Sequence, residues 1–217
     1  MKNRRLLLPA LIATFLVPAA GNAQLGGRPA EEWATVLESG RRMEGLEIEN
    51  VVRALSLQSG DVVADIGAGT GIFTVPIAMQ VGPSGAVLSV EVDAGFLPMI
   101  EEKAQAARLS NVEAVLGEYG DPKLPRQDVD LAFFHDVLHH IEDRAGYLQA
   151  LAGYMPAGSR VAIVDYDAGH PDTPHQDDPS MLITPDQVTG WMQTAGFELT
   201  EEIDMFDDKF FVIYTKR

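Results

Sequence analysis

Three acidic residues and a run of glycines could do chemistry in this chain. Val63-Ala64-Asp65-Ile66-Gly67-Ala68-Gly69-Thr70-Gly71 reads as a strand that enters a glycine loop and then a helix. Gly67 and Gly69 let the backbone approach a ligand closely, and the helix beyond offers unpaired N–H donors. A dinucleotide fingerprint needs Gly or Ala at the third position of G-x-G-x-x-G, and that position here is Ile72. Asp65, at the strand end, would repel a pyrophosphate and suits a ligand that bears an ammonium group. A second apolar run ends at Val90-Glu91, where a carboxylate can accept from both hydroxyls of a ribose. A third is followed by Gly117-Glu118-Tyr119. There the Glu118 carboxylate can accept from an adenine amino group while the Tyr119 backbone N–H meets a ring nitrogen. Any one acid in so acidic a chain reads as a solvated surface group. Three at the carboxyl ends of three successive strands point to a ligand, because open α/β sheets bind ligands there.

A ligand with an amino-acid tail, a ribose and an adenine but no phosphate is S-adenosylmethionine. Methyl transfer from its sulfonium is an in-line displacement, for which a protein supplies positioning and, for a protonated acceptor, a base. His135, Asp136, His139 and His140 follow the fourth strand candidate, beside the place the methyl group should occupy. His135 and Asp136 are the candidates for contact with cofactor and substrate and for a catalytic base. His139 and His140 read equally well as groups that cap backbone or pack. His170, Asp172, His175, Asp177 and Asp178 are metal-ligand types, but their spacing fits no metal geometry. That stretch reads as a solvated loop that could also lid the substrate pocket, and no metal is expected.

The elements that must hold these residues follow from one repeating pattern. Strand candidates lie at 61–66, 86–90, 112–116, 129–134 and 160–165, separated by helical stretches to about 81, at 95–108 and at 142–154. Near-continuous apolar strands spaced by helices predict a parallel sheet covered on both faces. A helix at 185–195 precedes two closing strands near 197–204 and 209–215. Their short connection leaves no room for a parallel crossover, so they should be antiparallel. Residues 24–57 form a helical cap on a single domain spanning 24–217. The segment with Glu32, Trp33, Arg41 and Arg42 is the other expected pocket wall, with Trp33 itself read as core.

Met1 to Ala23 has the layout of an export signal: Lys2, Arg4 and Arg5, an apolar stretch from Leu6 to Val17, then Gly21-Asn22-Ala23. Asn3-Arg4-Arg5-Leu6-Leu7-Leu8 is also similar to a twin-arginine signal. The expected location is therefore the periplasm, with no stable membrane insertion once the signal is cleaved. The alternative is a mis-assigned start, for which Met43 is the next methionine, and a cytoplasmic protein.

The 217 residues carry 16 Lys+Arg against 32 Asp+Glu, a formal charge of −16. That balance argues against nucleic acid and anionic membrane surfaces as partners. The absence of cysteine removes disulfides, Cys nucleophiles and thiolate metal sites, and speaks against thiolate-held arsenic chemistry.

From about residue 46 onward the chain resembles the class I S-adenosylmethionine-dependent methyltransferases, the small-molecule type that includes the ubiquinone and menaquinone biosynthesis enzymes. The resemblance rests on V-A-D-I-G-A-G-T-G at 63–71, V-L-S-V-E at 87–91, N-V-E-A-V-L-G-E at 111–118, D-L-A-F-F-H-D-V-L-H-H-I at 130–141 and G-Y-M-P-A-G-S-R-V-A-I-V-D at 153–165. It implies a Rossmann-like seven-stranded α/β sheet in the order 3-2-1-4-5-7-6 with strand seven antiparallel. It also implies cofactor contacts at Asp65, Gly67, Gly69, Glu91, Glu118 and Tyr119, and a small-molecule methyl acceptor that the sequence leaves unidentified. Glu118 departs from the Asp that many members carry, which keeps the acceptor on a longer arm. The other reading is an exported, non-catalytic binding module that keeps this fold.

Overall fold

The computed structural model describes residues 28–217, so the expected signal at 1–23 lies outside the described residues. Helices α1 (Ala30–Leu37), α2 (Gly40–Gly45) and α3 (Ile48–Ala54) come first. They are followed by β1 (Val62–Ile66), α4 (Thr74–Val81), β2 (Ala86–Glu91), α5 (Leu97–Ala106), β3 (Val112–Leu116) and β4 (Leu131–His135). Then come α6 (Arg144–Ala152), β5 (Arg160–Tyr166), α7 (Pro185–Thr194), β6 (Phe197–Glu202) and β7 (Lys209–Lys216). Short 3-10 turns lie at Leu138–His140 and Pro179–Met181.

The strands form one sheet in the order β3-β2-β1-β4-β5-β7-β6. β1 pairs in parallel with β2 and β4, β2 with β3, and β4 with β5. β7 runs antiparallel to both β5 and β6, as the short connection requires. The expected order and the reversed last strand are both present. The last connection spans residues 203–208 and β6 carries a bulge between Leu199 and Glu201.

The continuous apolar runs have a simple cause. Side chains alternate between two sheet faces, and each face carries its own core. Val63, Val87, Leu131, Phe133 and Val164 pack with Val51 and Leu55 of α3 and with Ile77 and Val81 of α4. Ala64, Leu88, Val90, Phe134 and Ile163 pack with Leu148 and Leu151 of α6 and with Val188 and Met192 of α7. At roughly 1.5–3 kcal/mol for each large apolar side chain buried, these two layers fix where the strand ends lie. Helix ends are set locally. Asp143 accepts from Gly146 N at the start of α6, and Thr184 and Gln187 make a reciprocal capping box ahead of Pro185 in α7. β6 is the outer edge, with Glu198, Glu201 and Glu202 exposed.

Candidate functional site

Strand order reverses between β1 and β4, since β2 and β3 lie to one side and β5 to the other. A cavity of about 460 Å³ opens at the carboxyl ends of these strands, the place where open α/β sheets bind ligands. Gly67, Gly69, Glu91, Glu118, Tyr119, His135 and Asp136 all line it. Asp65 does not.

The glycine loop is built for close backbone packing. Gly67 has φ 68°, and a Cβ there would lie 2.5 Å from Val137 Cγ2, so only glycine fits. Gly67 N and Ala68 N both donate to Val90 O at the end of β2, at 2.9 and 3.0 Å, which ties the loop to the neighbouring strand. Gly69 N donates to Glu91 Oε2 at 3.0 Å, and Val92 N donates to Glu91 Oε1 at 2.7 Å. Glu91 is thus oriented by backbone on both oxygens, with acceptor capacity left toward the cavity. Burial raises its pKa, against the pull of these N–H bonds.

Asp65 stands behind the loop, 4% exposed, and its Oδ2 accepts from Thr74 Oγ1 at 2.6 Å. Thr74 also contacts Ser89 Oγ at 3.0 Å, so the three side chains stitch β1, α4 and β2 together beneath the loop. Burial pushes the Asp65 carboxyl up to about 6, partly offset by the Thr74 bond and reinforced by Glu91. Among the described residues its partner is thus a hydroxyl, and it is not one of the residues that line the cavity. Glu118 and Tyr119 sit at the opposite rim and are exposed. Lys123 Nζ lies 3.4 Å from Glu118 Oε2.

The far end of the cavity is made where β4 stops. His135 is the last residue of the strand, stacked on Phe73 with ring centroids 4.7 Å apart and an interplanar angle of 30°. Asp136 turns the chain at φ 55°, in the left-handed region that Asp tolerates better than most residues. Its carboxylate meets two cations from distant segments. Lys209 Nζ of β7 is 2.8 Å from Oδ1 and 3.0 Å from Oδ2, and an Arg42 Nη of α2 is 3.3 Å from Oδ2. Burial alone would raise the Asp136 carboxyl, but His135 and the Lys209 ammonium outweigh it and hold it well below the usual carboxylate range. Burial lowers the pKa of His135, and the nearby Lys209 and Arg42 charges add to that, against the pull of Asp136. At neutral pH the pair is a neutral imidazole beside an ionised carboxylate.

A second histidine–aspartate pair lies next to the first. His139 Nδ1 is 2.6 Å from Asp165 Oδ1, and His139 N donates to Asp165 Oδ2 at 3.1 Å. Asp165 is fully buried and also accepts from Tyr166 N at 2.8 Å. The sequence alternative of packing thus describes His139. His140, next in the chain, lines the cavity. The His139 ring lies 4.0 Å from that of His140 and 5.3 Å from that of His175. Among the described residues, no group of three or more His, Asp or Glu is placed to hold a metal ion.

Two walls come from outside the core sheet. Trp33, Leu37 and Arg42 of the N-terminal helices close one side, and Met181 from the loop after β5 reaches the other. The wall role of that N-terminal segment matches expectation, but Trp33 faces the cavity and is only half-buried rather than core. A chain begun at Met43 would keep the glycine loop and Glu91 yet lose these three wall residues. The residues that sequence reasoning missed are Thr74, Asp165 and Lys209. Lys209 had one signal: it is a cation directly after Asp207-Asp208 at the start of an apolar strand.

A seven-stranded open sheet with its last strand reversed, a glycine loop and a strand-end acid around a cavity at the switch point define a nucleoside-binding α/β domain. The methyltransferase-domain family matches residues 57–196, and the chain belongs to that family. It is 27% identical over 191 residues to an arsenite methyltransferase of Halobacterium salinarum, covering 84% of this chain and 48% of that protein. It is 24% identical over 117 residues to a demethylmenaquinone methyltransferase of Geobacillus sp., covering 54% of this chain and 50% of that one. The chain therefore spans about half the length of these curated relatives. Among solved structures, a SAM-dependent methyltransferase of Aquifex aeolicus superposes with a TM-score of 0.76 at 22% identity, covering 86% of this chain and 98% of that one.

Proposed function

We propose that this protein transfers the methyl group of S-adenosylmethionine to a small-molecule acceptor. The carrying observation is the cavity at the β1/β4 switch point, where the Gly67–Gly69 loop and the backbone-oriented Glu91 face an open volume. The donor set suits this cofactor. Arg42, at the far end, is the only Lys or Arg among the described lining residues, so the loop offers no cation for a pyrophosphate. When bound, the cofactor supplies an electrophilic methyl group on a sulfonium. Gly67 and Gly69 would lie against its amino-acid tail, Glu91 would accept from its ribose hydroxyls, and Glu118 and the Tyr119 N–H would meet its adenine. Asp65 would act from beneath, by fixing the loop through Thr74. His135 and Asp136 would face the acceptor and exclude water from the reacting end.

The arsenite acceptor of the first relative does not transfer directly. A chain without cysteine has no thiolates to hold a trivalent arsenical, and the formal charge of −16 disfavours nucleic acid. Calorimetry of the purified protein with S-adenosylmethionine tests the reading. Micromolar binding is expected, weakened about 10- to 100-fold in Glu91→Ala by loss of charge-assisted bonds. The absence of any binding at millimolar cofactor would refute it.

A second reading has one observation in its favour: the signal-like segment Met1–Ala23 on a protein whose cofactor is made in the cytosol. In that reading the exported chain is a non-catalytic binding module. Export, with periplasmic residence, is our proposal in both cases, and the N-terminal mass of protein from the envelope fraction tests it. An intact Met1, or a chain starting at Met43, would reject cleavage. Among the described residues no helix is long and apolar enough to cross a membrane.

A further inference from the structure

We propose that the far end of the cavity takes an acidic hydroxyl compound, a phenol or enol. Arg42 would hold its oxygen and His135 Nε2 would receive its proton. This substrate class rests on the methyltransferase reading above.

The first argument is charge. In a chain of net −16, this end of the cavity brings two cations to one carboxylate. Arg42 from α2 and Lys209 from β7 both face the single Asp136 carboxylate. The other groups packed around it include one further carboxylate, Asp165, which is fully buried behind His139. Tyr166 of β5 lies under Lys209 Nζ with its ring 4.5 Å away, and His140 is on the adjoining 3-10 turn. Asp165 is already engaged by His139 and Tyr166 N. Arg42 lines the cavity with its side chain 29% exposed, so it is the cation placed to meet an anionic oxygen there.

The second argument is an unmet pair of hydrogen-bonding atoms. Arg42 Nε and His135 Nε2 are both buried, and neither has a partner among the described residues. Both residues line the cavity, and each has a nitrogen within 3.5 Å of the same oxygen, Asp136 Oδ2. Arg42 Nε can only donate. His135 Nδ1 faces the Asp136 carboxylate, which favours the proton on Nδ1 and leaves the Nε2 lone pair to accept. A donor and an acceptor on two residues that line the same cavity are the complement of a hydroxyl group. When the O–H bond breaks, the proton moves to Nε2 and the electron pair stays on oxygen beside the guanidinium. His135 is suited to this because burial and the two cations keep it neutral at rest.

The same atoms disfavour other acceptors. An ammonium would be repelled by Arg42 and Lys209. A carboxylate would satisfy Arg42 but bring no proton to His135. Trp33, Leu37 and Met181 line the cavity and suit an apolar or aromatic body on the hydroxyl.

Para-nitrophenol is the direct probe, because its phenolate form absorbs where the phenol does not. With the full protein and S-adenosylhomocysteine, the bound probe is expected to ionise about one pH unit lower than the free one. Arg42→Met should weaken probe binding about tenfold and remove the shift, with S-adenosylhomocysteine affinity unchanged. His135→Gln should keep phenolate binding but lose the uptake of the phenol proton, seen as loss of buffer-independent binding enthalpy. Para-nitrobenzylamine, a cation of similar size, should not compete. The proposal is overturned if the protein binds S-adenosylhomocysteine but not the phenol, if the shift survives Arg42→Met, or if the amine binds more tightly. Failure to bind S-adenosylhomocysteine with a phenolate site intact would instead remove the methyltransferase reading and leave the oxyanion site standing.

Discussion

The two histidine–aspartate pairs at the carboxyl ends of β4 and β5 use the same residue types for opposite work. In His139–Asp165 the carboxylate accepts from one ring nitrogen and two backbone N–H groups, at 2.6 to 3.1 Å, and is fully buried. All of its partners are hydrogen-bond donors within the fold, so the pair locks the 3-10 turn after β4 onto β5. In His135–Asp136 the ring nitrogen is 3.5 Å from the carboxylate, whose closer partners are the cations Lys209 and Arg42. One pair is closed and the other is held open by charge, with a ring nitrogen left over. A histidine beside an aspartate thus says little about role until the remaining partners of both are counted.

That contrast can be broken in order of size. Asp136→Ala leaves Lys209, whose side chain is 6% exposed, without its counter-charge. It should cost about 3–5 kcal/mol in urea unfolding. Asp136→Asn should recover little of this, because the loss is of charge, whereas adding Lys209→Met should recover most of it. Equal stability of Asp136→Asn and the wild type would show that the cations are solvated and the pair is not electrostatic.

The next effect is a pH dependence of opposite sign in two carboxylates. Asp65 has no cation, and its carboxyl rises in the folded state from 3.8 to about 6. The folded state then holds its proton longer than the unfolded state. Stability should therefore fall by about 3 kcal/mol as pH rises through that interval. Asp65→Asn should flatten this slope. Asp136 works the other way, since its folded carboxyl lies below the ordinary value. Its contribution is complete above the unfolded value and is lost as pH falls further. Unfolding curves taken from pH 2 to 7 on the two single variants separate these slopes, Asp136 below pH 3.8 and Asp65 above it. The same slope in both would contradict the assignment.

The smallest effect concerns the closed pair. Asp165→Asn keeps the shape and one acceptor but turns an amide toward donor groups. A loss of about 1–2 kcal/mol is expected, with the phenolate shift of the open pair unchanged. A change in that shift would mean the two pairs act as one network.

Most of the fold was legible because it is written in local runs. Val62–Ile66 and Leu131–His135 are near-continuous apolar stretches, interrupted only by Asp65 and ended by His135, which is what a strand buried on both faces requires. The reversed last strand followed from a connection too short for a parallel crossover, which the structure shows as residues 203–208. The glycine loop and Glu91 were legible for the same reason, each being set by its immediate neighbours. The open end of the cavity was not. Lys209 is 73 positions from Asp136, Asp165 is 26 from His139, and Arg42 arrives from a helix ahead of the sheet. No local spacing encodes contacts that exist only after the sheet assembles. The partners of Asp65 were not legible either. Strand alternation buries it toward Thr74 and Ser89, which come from α4 and β2.

The outer strand β6 has a consequence for life at high concentration. Its free hydrogen-bonding edge would template pairing with another copy, a route to aggregation that natural sheets suppress with charge and bulges. Glu198, Glu201 and Glu202 lie along that edge, and the bulge after Leu199 breaks its flatness. The acidity that first read as a poor surface for nucleic acid thus also keeps the sheet from growing sideways. Replacing those glutamates with threonine would remove the guard while leaving the edge in place.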